Sequence, residues 1–224
     1  MLTHSEMELR SGAVIDFVNE ATLQHESEFR EFIDFMLERG PITDVIEIGV
    51  WEGGSAYLFA QIVGAAGRVY AIDKVFGSED ARNEFAVGVA NHIPPVYRGT
   101  DAANRVVEIE GCFEDESTID KLEAVLAGRK VDVLFHDGDH GYGAVMRDIA
   151  NYGQFVKPGG WVAICDWMDD THGVHEAWKE IKASRGGHGV WEFVIQRQPV
   201  ELQKSHRWLG FQNGIGLLEW GKSK

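Results

Sequence analysis

"VIEIGVWEGGSAYLFA", residues 45–60, opens as an apolar run, breaks into a glycine-rich turn and resumes an apolar pattern at helical spacing. Val45 to Ile48 reads as a short strand, and Leu58, Phe59, Ile62 and Val63 recur at i, i+1, i+4 and i+5, as on the buried face of a helix. Strand, turn, helix is the repeating unit of an α/β sheet, and the turn falls at the carboxyl end of the strand, where such sheets bind ligands. Gly49, Gly53 and Gly54 permit positive φ and let a ligand lie against the backbone, while Ser55 is placed to cap the helix that follows.

The same alternation extends outward. Residues 26–38 set Phe29, Phe32, Ile33, Met36 and Leu37 on one stripe, and Gly40-Pro41 stops it. This predicts an N-terminal helical cap, residues 1–40, ahead of a domain at 41–224, with one domain overall. "RVYAID" (68–73), "RVVEIEG" (105–111) and "KVDVLFHD" (130–137) read as strands covered on both faces. Ser117-Thr-Ile-Asp120 resembles a capping box for a helix with Leu122, Val125 and Leu126. Tyr142, Val145, Ile149 and Tyr152 mark another helix, which "KPGG" (157–160) ends before the strand "WVAICD" (161–166). Val174, Ala177, Trp178 and Ile181 predict one more helix, and "VWEFVIQ" (190–196) with "NGIGLLEW" (213–220) predicts an antiparallel pair. Between Lys74 and Asn104 the connection is long, with Ser78-Glu-Asp placed to start a short helix. The pattern is a doubly wound α/β fold.

Composition narrows the partners. The 224 residues include 36 acidic and 21 basic side chains, a formal net charge of -15, and are 44% hydrophobic. An acidic surface repels a nucleic-acid backbone or an anionic membrane, so neither is expected as a partner, and a small neutral or cationic ligand fits better. The start, "MLTHSEMELR", lacks a basic region followed by an apolar one, and no apolar run reaches bilayer length. Cys112 and Cys165 form neither a disulfide framework nor a zinc pattern. A cytoplasmic, reduced protein is expected, with self-association left open.

The glycine turn has neither the G-x-G-x-x-G spacing of a dinucleotide fold nor the Gly-Lys-Ser/Thr of a P-loop. A pyrophosphate would meet Glu47 and Glu52 at its mouth, whereas a sulfonium or ammonium would be welcome there. Asp73, at the end of "RVYAID", is placed to accept hydrogen bonds from ribose hydroxyls. Together these residues suggest a nucleoside with a cationic tail.

At this point the chain resembles the class I S-adenosylmethionine-dependent methyltransferases, and within them the small-molecule branch called methyltransferase family 24. The resemblance lies in "VIEIGVWEGGS", "VYAID", "VDVLFHDGDHGYGAVMRDI", "VKPGGWVAICDW" and "GVHEAW", in family order from about residue 42 to residue 182. It implies a mostly parallel seven-stranded sheet with an antiparallel last strand. It also implies S-adenosylmethionine as cofactor, with Glu47, Gly49, Gly53, Gly54 and Ser55 around the methionine portion, Asp73 on the ribose and Asp137 at the end of the fourth strand. Where the family often carries an acid for the adenine amine, this chain reads Gly111-Cys112-Phe113, so adenine contact falls to Cys112, Phe113 and the backbone.

A sulfonium methyl is already electrophilic, so the protein aligns an acceptor for in-line attack and removes its proton. Candidates cluster in "HDGDH": Asp137, Asp139 and His140 for catalysis, with His140 as general base, while His136 reads as structural. Related hydroxyl methyltransferases hold a divalent cation at the ends of the fourth and fifth strands, where Asp137 and Asp166 match. Cys165 replaces the first member of the fifth-strand pair and is a poor ligand for Mg²⁺. Asp169 and Asp170 are further acids nearby, and Trp167, Trp178 and Trp208 are aromatic candidates, Trp167 the best of them for a pocket wall. The expected reaction is methylation of a small-molecule hydroxyl, such as one on a sugar or natural product. The alternatives are a nicotinamide-dependent oxidoreductase, disfavoured by the glycine spacing, and a non-catalytic nucleoside-binding domain.

Overall fold

A computed structural model describes residues 26–51, 53–74, 97–168, 172–184, 189–194 and 214–221. The helix predicted from Ser78, together with Glu52, Asp169, Asp170 and Trp208, lies outside the described residues. Seven strands form one sheet: β1 (Asp44–Ile48), β2 (Arg68–Asp73), β3 (Val106–Glu110), β4 (Val131–His136), β5 (Val156–Ile164), β6 (Val190–Phe193) and β7 (Ile215–Glu219). Their order is β3-β2-β1-β4-β5-β7-β6. β1 to β5 pair in parallel, and β7 runs antiparallel between β5 and β6. The helices are α1 (Glu26–Glu38), α2 (Gly54–Ile62), α3 (Glu116–Leu126), α4 (Tyr142–Tyr152) and α5 (Val174–Ser184). The doubly wound fold is the expected one. Among the described residues no helix is long and apolar enough to cross a membrane.

Strand side chains alternate between two cores, as a period of two requires. Val45, Val69, Ala71, Val133, Phe135, Ala163 and Leu217 face one cluster with α1 and α2. Ile46, Ile48, Tyr70, Ile72, Leu134, Val162, Ile164 and Leu218 face the other, under α3, α4 and α5. α1 is fastened by aromatic contacts: Phe29 and Phe32 lie 5.7 and 5.8 Å from Phe135, ring centre to ring centre, and Phe32 lies 5.7 Å from Phe193. Phe135 is two residues short of the end of the "HD" run, so this packing sets the first turn of α1 over the carboxyl ends of β4 and β5.

Several local expectations are corrected. α3 begins at Glu116 with Asp115 as N-cap and no side-chain cap, so Ser117 lies in its first turn and opens no capping box. Thr118 is instead buried beside Gly111, and Val125 faces solvent. "KPGG" does not separate helix from strand. β5 starts at Val156 and carries these residues as a bulge, the register with β4 shifting between Val131 and Val133. The proline and the positive φ of Gly159 make a bulge the low-cost way to keep the strand running. Ser55 does not cap α2; Gly53 occupies that position without a side-chain bond, and the serine hydroxyl turns inward.

Candidate functional site

Gly49 closes β1 at φ +82°, and its position is forced by the protein's own backbone. A Cβ there would overlap the Asp137 carbonyl group and come within 2.8 Å of Gly138 Cα. Glycine is required here by the protein's own packing, which lets the first turn and the end of β4 touch. Ile72 O accepts from Gly49 N at 3.0 Å and Ile48 O from Asp137 N at 2.8 Å, so the ends of β2, β1 and β4 are laced together.

Asp73 sits at the end of β2, where its Oδ2 accepts from the amides of Val50 (2.8 Å) and Trp51 (3.1 Å). One carboxylate oxygen thus tethers the glycine loop. Trp51 takes φ +49°, an uncommon conformation for an aromatic residue, and is 59% exposed at the rim of the site. Glu47 is fully buried on the α1 face; Ser55 Oγ donates to its Oε1, and Oε2 has no partner. Burial drives its pKa well above the ordinary range, the Ser55 bond opposes this, and the charges of Asp137 and Asp73 add to it. An orphaned buried carboxyl oxygen beside two further acids is the complement of a cationic group.

The opposite end of the site is built from three segments. Asp137 follows β4, His140 lies in the turn before α4, and Asp166 follows β5 at φ +54°. His140 Nε2 is 3.7 Å from Asp137 Oδ1 and 3.8 Å from Asp166 Oδ2, and one ligand atom from each residue fits within 4.8 Å of the others. An antiparallel bridge between Gly141 and Gly173 pins the turn before α4 to the one before α5. It also brings His172 to 6.4 Å from His140, ring to ring.

The remaining candidates stand elsewhere. Asp139 Oδ1 accepts from Gly141 N at 2.8 Å and shapes the turn, outside the Asp137–His140–Asp166 group. Phe113 is only 5% exposed, packed beneath Gly138, and its carbonyl accepts from Tyr152 Oη, so little of its ring is offered to an adenine; Cys112 is half-buried at the end of β3. Cys165 is buried and its thiol is pushed up in pKa first by burial, then by Asp137, Asp166, Glu28 and Glu47. His136 is buried against Asp148 at 3.1 Å, in keeping with a structural role. Trp167 stacks on His175 with 14° between the rings, and Trp178 is buried, donating to Glu192 Oε1 at 2.8 Å.

Sequence reasoning missed Glu28 and His172. Glu28, in the first turn of α1, is 1% exposed with Oε2 unpartnered. Its pKa is raised to about 8, by burial first and then by the charges of Asp166, Asp137 and Glu31. A signal existed: Glu28 precedes Phe32 by one helical turn, a carboxyl on the apolar stripe.

A family model described as a methyltransferase domain, that of methyltransferase family 24, matches residues 46–167, more than half of the chain. The chain belongs to this methyltransferase family. The methyltransferase is 29% identical over 126 residues to the uncharacterized protein R132 of Acanthamoeba polyphaga mimivirus, a stretch covering 55% of this chain and about half (51%) of the viral protein's length. Among the solved structures that share its fold are these three. The O-methyltransferase TomG of Streptomyces achromogenes, involved in tomaymycin synthesis and bound to S-adenosylmethionine, has TM-score 0.57 and 15% identity, over 96% of this chain and 90% of that one. MycE, from the mycinamycin pathway, in complex with Mg, S-adenosylhomocysteine and mycinamycin VI, gives 0.54 and 18% over 98% and 54%. An rRNA methylase of Streptococcus thermophilus gives 0.55 and 14% over 90% and 99%. By family and fold this is a class I S-adenosylmethionine-dependent methyltransferase domain, and the nicotinamide alternative is set aside.

Proposed function

We propose that this methyltransferase moves the methyl group of S-adenosylmethionine to a hydroxyl oxygen of a small molecule, such as a sugar or a natural-product scaffold. The observation that carries this reading is the line of acids across the carboxyl ends of β2, β1, β4 and β5: Asp73, Glu47, then Asp137 and Asp166 around His140. The residues fit the cofactor chemically. Glu47, with its orphaned oxygen, and Gly49, Gly53, Gly54 and Ser55 hold the cationic methionine portion. Asp73 holds the ribose, and Cys112 and the backbone after β3 meet the adenine. When bound, the cofactor supplies a methyl group already activated by its sulfonium.

The chain's own contribution is alignment and proton removal. An acceptor hydroxyl seated at the Asp137–His140–Asp166 group meets two carboxylates and an imidazole that together draw off its proton as the oxygen attacks. The net charge of -15 supports an acceptor that is not RNA, although one structural neighbour bears the name of an rRNA methylase. The TomG neighbour, named for a role in tomaymycin synthesis, supports the small-molecule class.

Calorimetry tests the cofactor half. S-adenosylmethionine and S-adenosylhomocysteine bind at micromolar concentrations and NAD does not. Asp73→Ala weakens both by about 1–3 kcal/mol, because ribose hydroxyls and the amides of Val50 and Trp51 lose their acceptor. Binding of NAD alone would overturn the proposal.

A further inference from the structure

Negative charge is in surplus at the acceptor end of the site. Asp137 and Asp166 flank His140 Nε2 at 3.7 and 3.8 Å. A third carboxyl is brought toward them from another layer. Glu28 lies in the first turn of α1, which Phe29 and Phe32 pin against Phe135. It is 1% exposed, and its Oε2 has no hydrogen-bond partner. After burial, the charges that act on it most strongly are Asp166 and Asp137, so its carboxyl faces the same region as that pair. The Cys165 thiol registers the same surplus: after burial, Asp137, Asp166, Glu28 and Glu47 all push it one way.

Holding an unsolvated carboxyl beside two other acids is unfavourable unless positive charge with hydrogen-bond donors sits among them. The sulfonium and amine of the cofactor's methionine portion belong to Glu47 and the glycine turn under the reading above, at the ends of β1 and β2. The acids at β4, β5 and α1 therefore call for a second cation. An ammonium suits them, because it carries one charge and three N–H donors, enough to reach Glu28 and a carboxylate of the pair together. A neutral hydroxyl could satisfy Oε2 but would leave the three acids unbalanced.

We propose that the acceptor is a hydroxyl-bearing amine, such as an amino sugar or an amine-bearing natural product, whose ammonium is held between Glu28 and the Asp137–Asp166 pair while its hydroxyl sits at His140. This rests on reading the site as that of a methyltransferase for small-molecule hydroxyls. Glu28 is then a specificity-determining residue, selecting a charged acceptor over a neutral one, and His140 keeps its part in proton removal. The carboxylates also decide which atom reacts. They keep the nitrogen protonated, and a protonated nitrogen has no free electron pair with which to attack, so the methyl group goes to oxygen.

The test uses the full chain and S-adenosylmethionine labelled in its methyl group, in buffer with chelator and again without it. The probes are glucosamine, galactosamine and ethanolamine, each set against its N-acetyl derivative, which keeps the hydroxyls and loses the charge. At least one amine is methylated on oxygen, as located by mass spectrometry, with kcat/KM roughly 10- to 100-fold above that of its N-acetyl partner. Glu28→Gln lowers this ratio about 10-fold, while S-adenosylhomocysteine affinity, measured by calorimetry, is retained. Glu28→Met, uncharged and similar in size, gives the same reading should the glutamine variant fold poorly. Equal use of amine and N-acetyl compound, transfer to nitrogen, or no transfer to any of the amines by a chain that binds S-adenosylhomocysteine overturns the proposal. So does a preference for amines that is unchanged in both Glu28 variants, or one that vanishes in chelator and so belongs to a divalent ion. A chain that binds no S-adenosylhomocysteine overturns instead the methyltransferase reading beneath it.

Discussion

Glu47 holds the most consequential single carboxyl in the site. It is buried in the α1 layer, satisfied on one oxygen by Ser55 and unsatisfied on the other, and its pKa is raised, by burial first. The folded chain therefore holds a proton that the unfolded chain releases above the ordinary glutamate range. Unfolding binds fewer protons there, so this residue's contribution to stability is greatest at low pH and is lost as pH rises through the raised value. Glu47→Gln keeps an oxygen to accept from Ser55 and removes the titrating proton. Urea denaturation of the cofactor-free protein at pH 6 and pH 9 will show the variant losing less stability than wild type between the two values, while its affinity for S-adenosylmethionine falls about 10-fold, near 1.4 kcal/mol. An unchanged pH slope and unchanged affinity would take Glu47 out of the cofactor site. Two other residues show the same exchange of local comfort for position: Trp51 and Asp166 both take positive φ at the rim of the site. Aspartate tolerates that conformation through its short polar side chain; tryptophan does not, and the Asp73 carboxylate helps hold it there through its amide.

Strand ends matter most among the elements, because the candidate site residues sit at or just past them. At the far end of the sheet, Asp132 of β4 plays the structural counterpart. Its Oδ2 accepts from Thr43 N (2.8 Å), Thr43 Oγ1 (2.6 Å) and Asp44 N (2.9 Å), and its Oδ1 pairs with Lys157 at the start of β5. Burial pushes its pKa up, but the Lys157 ammonium, the Thr43 hydroxyl and the two amides more than offset this and the net shift is downward. The stabilisation is present above the unfolded-state value and is lost as pH falls through it into the acid range. Asp132→Asn turns an amide NH2 toward the donors of Thr43 and Asp44 or toward half-exposed Lys157, and is expected to cost about 1–3 kcal/mol at pH 7, with the difference from wild type shrinking toward pH 3, read by thermal or urea denaturation. A loss of under about 0.5 kcal/mol, the ordinary range for surface sites, would show that the entry to β1 is held by the sheet alone.

At the scale of the whole molecule, the proposal of a small acceptor rests on charge, since the fold is shared with an rRNA methylase. With a net charge of -15, the chain is expected not to retain a ribosomal RNA fragment in a gel-shift assay at about 0.1 M salt, where phosphate contacts would dominate binding. Retention at that salt would move the acceptor to RNA. Much of this was legible along the chain. The bounds of α1 and β2 follow from periodicity and breakers, and alternation between two apolar layers announces a sheet covered on both faces. Gly-rich turn, Asp73 and the "HDGDH" run are local in sequence, so their placement at strand ends could be read from order alone. The errors were also local: the "KPGG" bulge and the starts of α2 and α3 turned on how neighbouring strands and Gly111 pack against them, which no single segment records. What only the tertiary structure decided is which groups meet. His140 and Asp166 are brought together by the pairing of β4 with β5, and Glu28 joins them because Phe29 and Phe32 dock on Phe135. The sequence by itself determined the order of elements and the kinds of chemistry at their ends, because periodicity and turn residues act over a few positions. Convergence of an acid from α1 with three residues more than a hundred positions away is set by packing, and packing is a property of the folded whole.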